Sequence, residues 1–522
     1  MIEAAFDADV VISGAGPSGL MVGCEAALGG ARVIILEKRD GPTWSRAGTL
    51  APRVMEIFES RGLAERVLSR AKELHSNPFS QHNIWAGLRP INYSALDSDY
   101  RYILMFAQLE TEKMLAEHFR ALGGDLRLHS EVTDVRQTED RVEVLYRDAD
   151  GQEQTLRGRY LVGADGSKST VRNKAGIAFV GQPASRIAVN VDAFVENPNE
   201  EPLTVSNTEA GWAMTYPLRD GITRFAFIDA ATCKRPPSEK IELDEAKEML
   251  RRVHGTDYGI TRVDAINSFH DALFVAEKIR DGRIFLVGES VRVHYPASGV
   301  GMNFCLQDAF NLGWKLAATS TGRAPSWLLD SYADERLPEI NALIDDVKRQ
   351  LAIQFNFDAE HVALKRFLER DILPDSEVNL KICENLAGLS ACYRTTAEAD
   401  GVIGRRLPNL KVTGGPSTAQ NTFELLRGQR FLLLDLTGCA TLPAVHPDVR
   451  VEVAAVDPGE RAALRGLSSL LIRPDGHVAW AHKQSLDVVL PEAEIREWLN
   501  LPTETTLWTK PAQMFAKTGA RQ

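Results

Sequence analysis

Three glycines and one carboxylate near the N-terminus have the types and spacing to hold a dinucleotide. Gly14-Ala15-Gly16-Pro17-Ser18-Gly19 follows an apolar run, Val10-Val11-Ile12, and Glu37 closes a second run, Val33 to Leu36. Gly14 permits a tight turn out of a strand, Gly16 lets main chain approach a pyrophosphate, and Gly19 lets the next helix pack closely on a sheet. The helix start, which carries Pro17 and Ser18, turns its N–H groups toward the anion. Glu37 falls about 20 residues on, where a carboxylate accepts hydrogen bonds from ribose hydroxyls. Beyond it, Lys38 and Arg46 carry charge suited to phosphate.

Two further stretches repeat the strand-to-loop pattern. Tyr160-Leu161-Val162 runs into Gly163-Ala164-Asp165-Gly166, which puts Asp165 at the carboxyl end of a buried strand, where ligands of open α/β sheets sit. Ile284 to Val287 runs into a glycine-rich loop, Gly288 to Asn303, ahead of a helix from Cys305 to Ala318. Other segments must support these loops. Gln108 to Leu122 has helical spacing, with Met114, Leu115, Phe119 and Leu122 on one face. From Asp125 to Tyr160 the period is two, which predicts a small antiparallel meander beside the main sheet. Val189 to Phe194, Gly211 to Tyr216 and Ile222 to Ile228 alternate and predict a second, antiparallel sheet inserted into the nucleotide domain, with a helix over Leu243 to Val253. Pro408 and Gly414-Gly415-Pro416 mark a boundary before a compact βαβ-containing module. The resulting layout is 1–178 with 276–400 for the nucleotide, 179–275 with strands from about 83–105 for the substrate, and 401–522 as a C-terminal domain.

Bulk composition excludes several classes. The 522 residues carry a formal charge of -11, so a nucleic-acid backbone is repelled. No apolar stretch reaches the ~20 residues of a membrane span. An acidic N-terminus that runs directly into the first strand leaves no room for a signal peptide and predicts a cytoplasmic protein. The six cysteines are dispersed, with no C-x-x-C pair and no zinc spacing, and read as buried reduced thiols, so no metal is expected.

Together the three loops resemble those of the FAD-dependent aromatic hydroxylases with the p-hydroxybenzoate hydroxylase fold, and the correspondence covers nearly the whole chain. Gly14, Gly16, Gly19 and Glu37 are similar to that family's adenosine fingerprint, and Asp165-Gly166 with Ser169 and Arg172 to its second motif. Gln108 is similar to a glutamine on the flavin side, Val132 to a backbone contact near adenine, and Arg46 to an arginine that helps engage the nicotinamide. The third motif retains Pro296, Gly299, Gly301, Met302 and Asn303. It departs from the family in Glu289 for Asp, Arg292 for His and Ser298 for Gly. Arg292 adds a permanent charge, and a Cβ at 298 is expected to resist positive φ. The region after about Gly404 resembles the thioredoxin-like tail of members that oxidise polyketides.

The fold this resemblance implies is α/β: a Rossmann-like FAD domain, an inserted antiparallel-sheet substrate domain and a thioredoxin-like C-terminal domain. The implied activity is a monooxygenase in which NADPH or NADH reduces FAD, O2 adds at the flavin C4a carbon as a hydroperoxide, and a polycyclic aromatic, polyketide-type substrate takes up one oxygen. Candidate substrate-side residues are Arg53, Tyr216, Arg224, Arg292 and His294. Baeyer-Villiger oxygenation of a ring ketone stays open, as does a non-redox cyclase, isomerase or binding role suggested by the altered third loop. A monomer or homodimer is expected.

Overall fold

The computed structural model describes residues 6–42, 47–198, 203–219, 221–237, 239–393, 401–438, 445–446, 449–483 and 490–508. The chain divides into two compact units, one of residues 1–56, 64–320 and 329–390, the other of residues 57–63, 321–328 and 391–522.

In chain order the first unit begins with β1 (Ala8–Ser13), α1 (Pro17–Leu28), β2 (Val33–Leu36), β3 (His82–Trp85), β4 (Leu88–Asn92) and α2 (Gln108–Ala121). There follow β5 (Asp125–Arg127), β6 (Glu131–Gln137), β7 (Val142–Arg147), β8 (Glu153–Gly163) and α3 (Thr170–Lys174). The inserted segment holds β9 (Ile187–Val195), β10 (Thr204–Thr208), β11 (Gly211–Arg219), β12 (Ile222–Asp229), α4 (Leu243–His254) and β13 (Ile260–His270). The chain then returns through β14 (Ile284–Leu286), α5 (Gly301–Ser320) and α6 (Trp327–Gln354).

The main sheet has β14, β8, β1, β2 and β5 side by side, paired in parallel. Val10, Val11 and Ile12 are fully buried, and helix α1 lies on them with Leu20, Met21 and Val22 equally hidden. A strand covered on both faces reads as a continuous apolar run, which is the pattern of β1 and β2. The antiparallel meander expected beside the main sheet over Asp125 to Tyr160 is present as β6, β7 and the first half of β8, while its two ends belong to the parallel main sheet. Leu126 lies in a parallel strand of the main sheet, and Tyr160 is the continuation of one long strand, β8, whose first half pairs antiparallel with β7 and whose second half pairs in parallel with β1. Burial records the change: β8 alternates in its exposed first half and is continuously buried at its end. Period two describes a strand and is silent on the direction of its partner.

The inserted sheet is antiparallel in the order β10-β11-β12-β9-β13. Helix α4 covers one face, where Val189, Val191, Phe225 and Phe227 pack with Met249 and Leu250. Alternation therefore puts Asn190, Asp192, Arg224, Ala226, Trp212 and Tyr216 on the other face.

The second unit is a mixed five-stranded sheet of thioredoxin-like form. Its strands are β15 (Lys411–Gly414), β16 (Phe431–Asp435), β17 (Val451–Asp457), β18 (Leu467–Ile472) and β19 (Val478–Lys483), ordered β15-β17-β16-β18-β19. Only β16 and β17 run in parallel, and Leu432, Leu434, Ala454, Leu470 and Ile472 form its core with Leu425 and Leu426. His477, at the turn into β19, is buried beside Asp475, whose carboxyl burial would raise but the charges of Arg473 and His477 hold well below the usual range.

Candidate cofactor and substrate site

Adjacency of β1, β8 and β14 brings the three loops to one edge of the main sheet. The Ala164 N–H donates to Ser13 O at 2.8 Å, and the Val287 N–H donates to Gly163 O at 3.0 Å. Gly14 has φ +101°, and a Cβ there would fall 2.5 Å from Ala164 O; one at Gly19 would fall 2.0 Å from Gly14 O. Both glycines are therefore required by close packing of the first two loops. Gly16 differs, because nothing lies within 4 Å of its would-be Cβ. It sits at the N-cap of α1, with Pro17 at the first turn. This open cradle at a helix N-terminus fits the pyrophosphate of a dinucleotide. Ser18, next along, packs directly against Gly288 of the third loop.

Glu37 ends β2 beside this cradle. Its Oε2 accepts the Ala15 N–H at 2.7 Å, and its Oε1 accepts the Arg39 N–H at 3.0 Å and Arg39 Nε at 2.7 Å. Burial pushes the carboxyl up, but the hydrogen bonds from Arg39 and Ala15 outweigh it and the net shift is downward. Glu37 is thus ionised and holds the glycine turn in place. Lys38 points to solvent, and the cation at this position is Arg39. The Ser130 N–H donates to Glu37 O at 2.8 Å, which sets the start of β6 and the buried Val132 along the same edge. Gln108 opens α2 and donates from Nε2 to Glu112 Oε1 at 2.7 Å. Glu112 is buried, and burial raises its carboxyl. Arg46 lies outside the described residues.

In the second loop Asp165 caps α3. Its Oδ1 accepts from Ser169 Oγ and its Oδ2 accepts the Val171 N–H at 3.1 Å, while burial raises its carboxyl. Gly166 is half-buried with open space above it. Arg172 ties this loop to the third one by donating to Ser167 O and Ser290 O, both at 2.9 Å.

The third loop departs from expectation at two of its altered positions. Ser298 adopts φ +52° despite its Cβ. Its Oγ donates to Gln350 Oε1 at 2.9 Å, and that same oxygen accepts the Ala86 N–H at 2.9 Å from the tip of the β3–β4 hairpin. A side chain from α6 thus compensates the left-handed backbone, a tertiary contact invisible in local sequence. Arg292, expected to face substrate, is instead turned into the core. It pairs with Asp308 of α5, which also pairs with Arg336 at 2.7 Å, and all three are at most 1% exposed. Glu289 stands exposed on the short turn Gly288–Ser290, Pro296 and Gly299 are exposed, and Met302 is buried. Asn303 commits its amide to the chain: Oδ1 accepts the Ala51 N–H at 2.7 Å, and Nδ2 donates to Thr49 O at 3.2 Å.

His294 is half-buried, and its Nδ1 donates to Tyr295 O at 2.7 Å. Burial, and then the charge of Arg292, push its pKa down to about 4. The ring is therefore neutral, with Nε2 an acceptor close to Gly301. The other substrate-side candidates are engaged within the protein. Arg53 donates to Glu56 at 3.1 Å, and Glu56 also accepts from Ser98 at 2.8 Å. Arg224 is buried and holds Asp192 with two bonds, 2.7 and 2.8 Å, and Tyr216 lies opposite it in the next strand and hydrogen-bonds to it. The sequence reading omitted Arg39, Glu112 and Gln350. Glu112 had a local signal, since it stands four residues after Gln108 on one helix face. Gln350 had none.

Residues 7–347 match a family model described as an FAD binding domain, and residues 400–502 match one described as the C-terminal domain of aromatic-ring hydroxylases. A rifampicin monooxygenase of Streptomyces venezuelae is 36% identical over 486 residues, 92% of this chain and 97% of that protein. The solved anhydrotetracycline hydroxylase from Streptomyces rimosus superposes with a TM-score of 0.82 at 31% identity, covering 95% of this chain and 99% of its own. A dialkyldecalin synthase of Streptomyces rugosporus is 31% identical over 484 residues, 91% of this chain and 96% of that protein. Since these matches run through the sheet edge that carries the glycine turn and continue into the second unit, the chain belongs to the FAD-dependent aromatic-ring hydroxylases.

Proposed function

We propose that this monooxygenase hydroxylates a polycyclic aromatic, polyketide-type substrate in the cytoplasm, with FAD as its cofactor and NADPH or NADH and O2 as co-substrates. In this reading residues 1–178 and 276–400 hold FAD, residues 179–275 with the β3–β4 hairpin hold substrate, and residues 401–522 are a structural domain. Gly14, Gly16, Glu37 and Val132 would hold the adenosine half of FAD, the N-terminus of α1 its pyrophosphate, and Gln108, Asp165, Gly166 and Gly301 to Asn303 its flavin half. Bound FAD supplies the redox and oxygen-transfer chemistry. The chain binds, orients and excludes water. Ionised Glu37 accepts ribose hydroxyls, Gln108 offers a carbonyl held by Glu112, and neutral His294 offers Nε2 as a hydrogen-bond acceptor beside Gly301.

The observation that carries this reading is the meeting of two surfaces. The face of the inserted sheet turned away from α4 reaches the third loop, where the rings of Phe269 and Tyr295 lie 5.3 Å apart, and reaches the β3–β4 tip, where Trp212 Nε1 donates to Gly87 O at 2.9 Å. Flat aromatic substrate and flavin can share that junction. The test is a yellow preparation whose oxidation of NADPH or NADH accelerates with an aromatic polyketide and whose product gains one atom from labelled O2. Label in a ring hydroxyl supports hydroxylation, and label in a lactone supports Baeyer-Villiger oxygenation. A colourless protein with no such oxidation would sink both. Similarity to a dialkyldecalin synthase favours a second, non-redox cyclase reading, which predicts substrate conversion in the absence of O2 and NAD(P)H without change in mass.

A further inference from the structure

The β3–β4 hairpin and the third loop are joined through one oxygen atom. Ala86 at the hairpin tip and Ser298 in the loop both adopt φ +52°, left-handed turns made without glycine. The Ala86 N–H and the Ser298 hydroxyl both donate to Gln350 Oε1 of α6, each at 2.9 Å. An amide oxygen has two lone pairs, so a single carbonyl can hold both turns at once. Gln350 is 1% exposed, which keeps water from standing in for either donor.

The amide is oriented from its other end. Gln350 Nε2 donates to Asp346 Oδ2 at 2.7 Å, and Asp346 Oδ1 accepts Trp85 Nε1 of the hairpin at 3.3 Å. A carboxylate accepts and an amide nitrogen donates, so the nitrogen belongs on the Asp346 side and the oxygen on the side of the two turns. The links extend in both directions. Gly87, next to Ala86, accepts Trp212 Nε1 at 2.9 Å and Asn207 Nδ2 at 3.2 Å through its carbonyl, which ties the tip to the inserted sheet. Ser298 stands shortly before Gly301, where α5 begins, and Asn303 Nδ2 reaches back to Gly299 O at 3.4 Å. A second, longer tie runs from Asn83 Nδ2 of the hairpin to Ser298 O at 3.4 Å.

We infer that Gln350 is a positioning residue that fixes the substrate-side hairpin against the flavin-side loop, so that filling the cofactor site orders the hairpin. The physical reason is the sharing of one acceptor. A loop that is held still orients the amide, and the hairpin then bonds to an oxygen already in place, with less conformational entropy left to lose. A hairpin answered by water or by a separate side chain would not respond to the loop. The inference rests on the FAD reading above and adds to it a link between the two halves of the site.

The test is hydrogen exchange, read by mass spectrometry on the full chain with and without FAD. Exchange ratios are compared for the third loop at residues 288–303, for the hairpin at residues 82–92, and for α4 as the control for global stabilisation. In the wild type FAD is expected to slow the loop, and to slow the hairpin by about tenfold beyond α4, the scale of one buried hydrogen bond. In Gln350→Met, similar in length and without the amide, slowing of the loop is expected to remain and that of the hairpin to fall below about twofold. Ser298→Ala cuts only the loop's arm and is expected to do the same, and the double variant to add nothing further, because both changes remove one link. A merely structural Gln350 would lower thermal stability and leave the FAD-dependent ratio in place. A hairpin that FAD fails to slow in the wild type, or slows equally in Gln350→Met or in Ser298→Ala, would overturn the inference and leave the FAD reading intact. A wild type in which FAD slows neither segment would overturn that reading and the inference together.

Discussion

At the scale of single residues, His294 and Ser298 show how environment decides chemistry. A histidine whose pKa falls to about 4 on folding, from ~6.5 unfolded, takes up its proton more readily in the unfolded chain. Its contribution to stability is therefore complete above about pH 6.5 and lost as pH falls toward 4. Urea midpoints measured across that window should decline in the wild type, and the decline should be shallower in His294→Asn. For Ser298 two terms oppose. A left-handed, non-glycine backbone costs about 1–2 kcal/mol, and the hydrogen bond to Gln350 returns about 1 kcal/mol. Ser298→Gly loses the bond and the strain together and should change stability by less than about 1 kcal/mol. Ser298→Ala keeps the strain and loses the bond, and thermal melts should place it below both.

At the scale of elements, the packing of the third loop, α5 and α6 is held by charge as well as by apolar contact. Asp308 sits between Arg292 and Arg336, each essentially without solvent exposure. Removing the shared carboxylate takes that ion-pair partner from two buried cations, so Asp308→Ala should lose about 3–5 kcal/mol in urea denaturation followed by far-ultraviolet circular dichroism. The same network explains why Arg292 cannot serve a substrate. From sequence, a basic residue in a glycine-rich loop looks like a ligand contact; only the register of α5, which turns Asp308 inward, makes it structural. A second pair of buried charges lower on the same helices, Lys315 with Glu335 at 2.7 Å, follows the same logic.

At the scale of the whole molecule, the second unit is assembled from more than one stretch of the chain. It takes in residues 57–63 and 321–328. Buried Arg61 donates to Leu426 O at 2.9 Å and Pro474 O at 3.0 Å. Arg61→Ala leaves both carbonyls without that donor and should destabilise the unit by about 2–4 kcal/mol, seen as faster amide exchange in the strand Phe431–Asp435. Much of the molecule was legible in order of residues: Gly14 to Glu37 prescribes the dinucleotide turn because each glycine answers a local steric need, and the alternation of β9, β11 and β12 prescribes a sheet with two unlike faces. Local rules of this kind act over a few residues, and so a sequence displays them. What only tertiary structure decided is which polar groups are answered by distant partners. Asp308 claims Arg292, Gln350 claims Ser298 and Asp192 claims Arg224, because hydrogen-bond satisfaction depends on contacts between segments that no local spacing records.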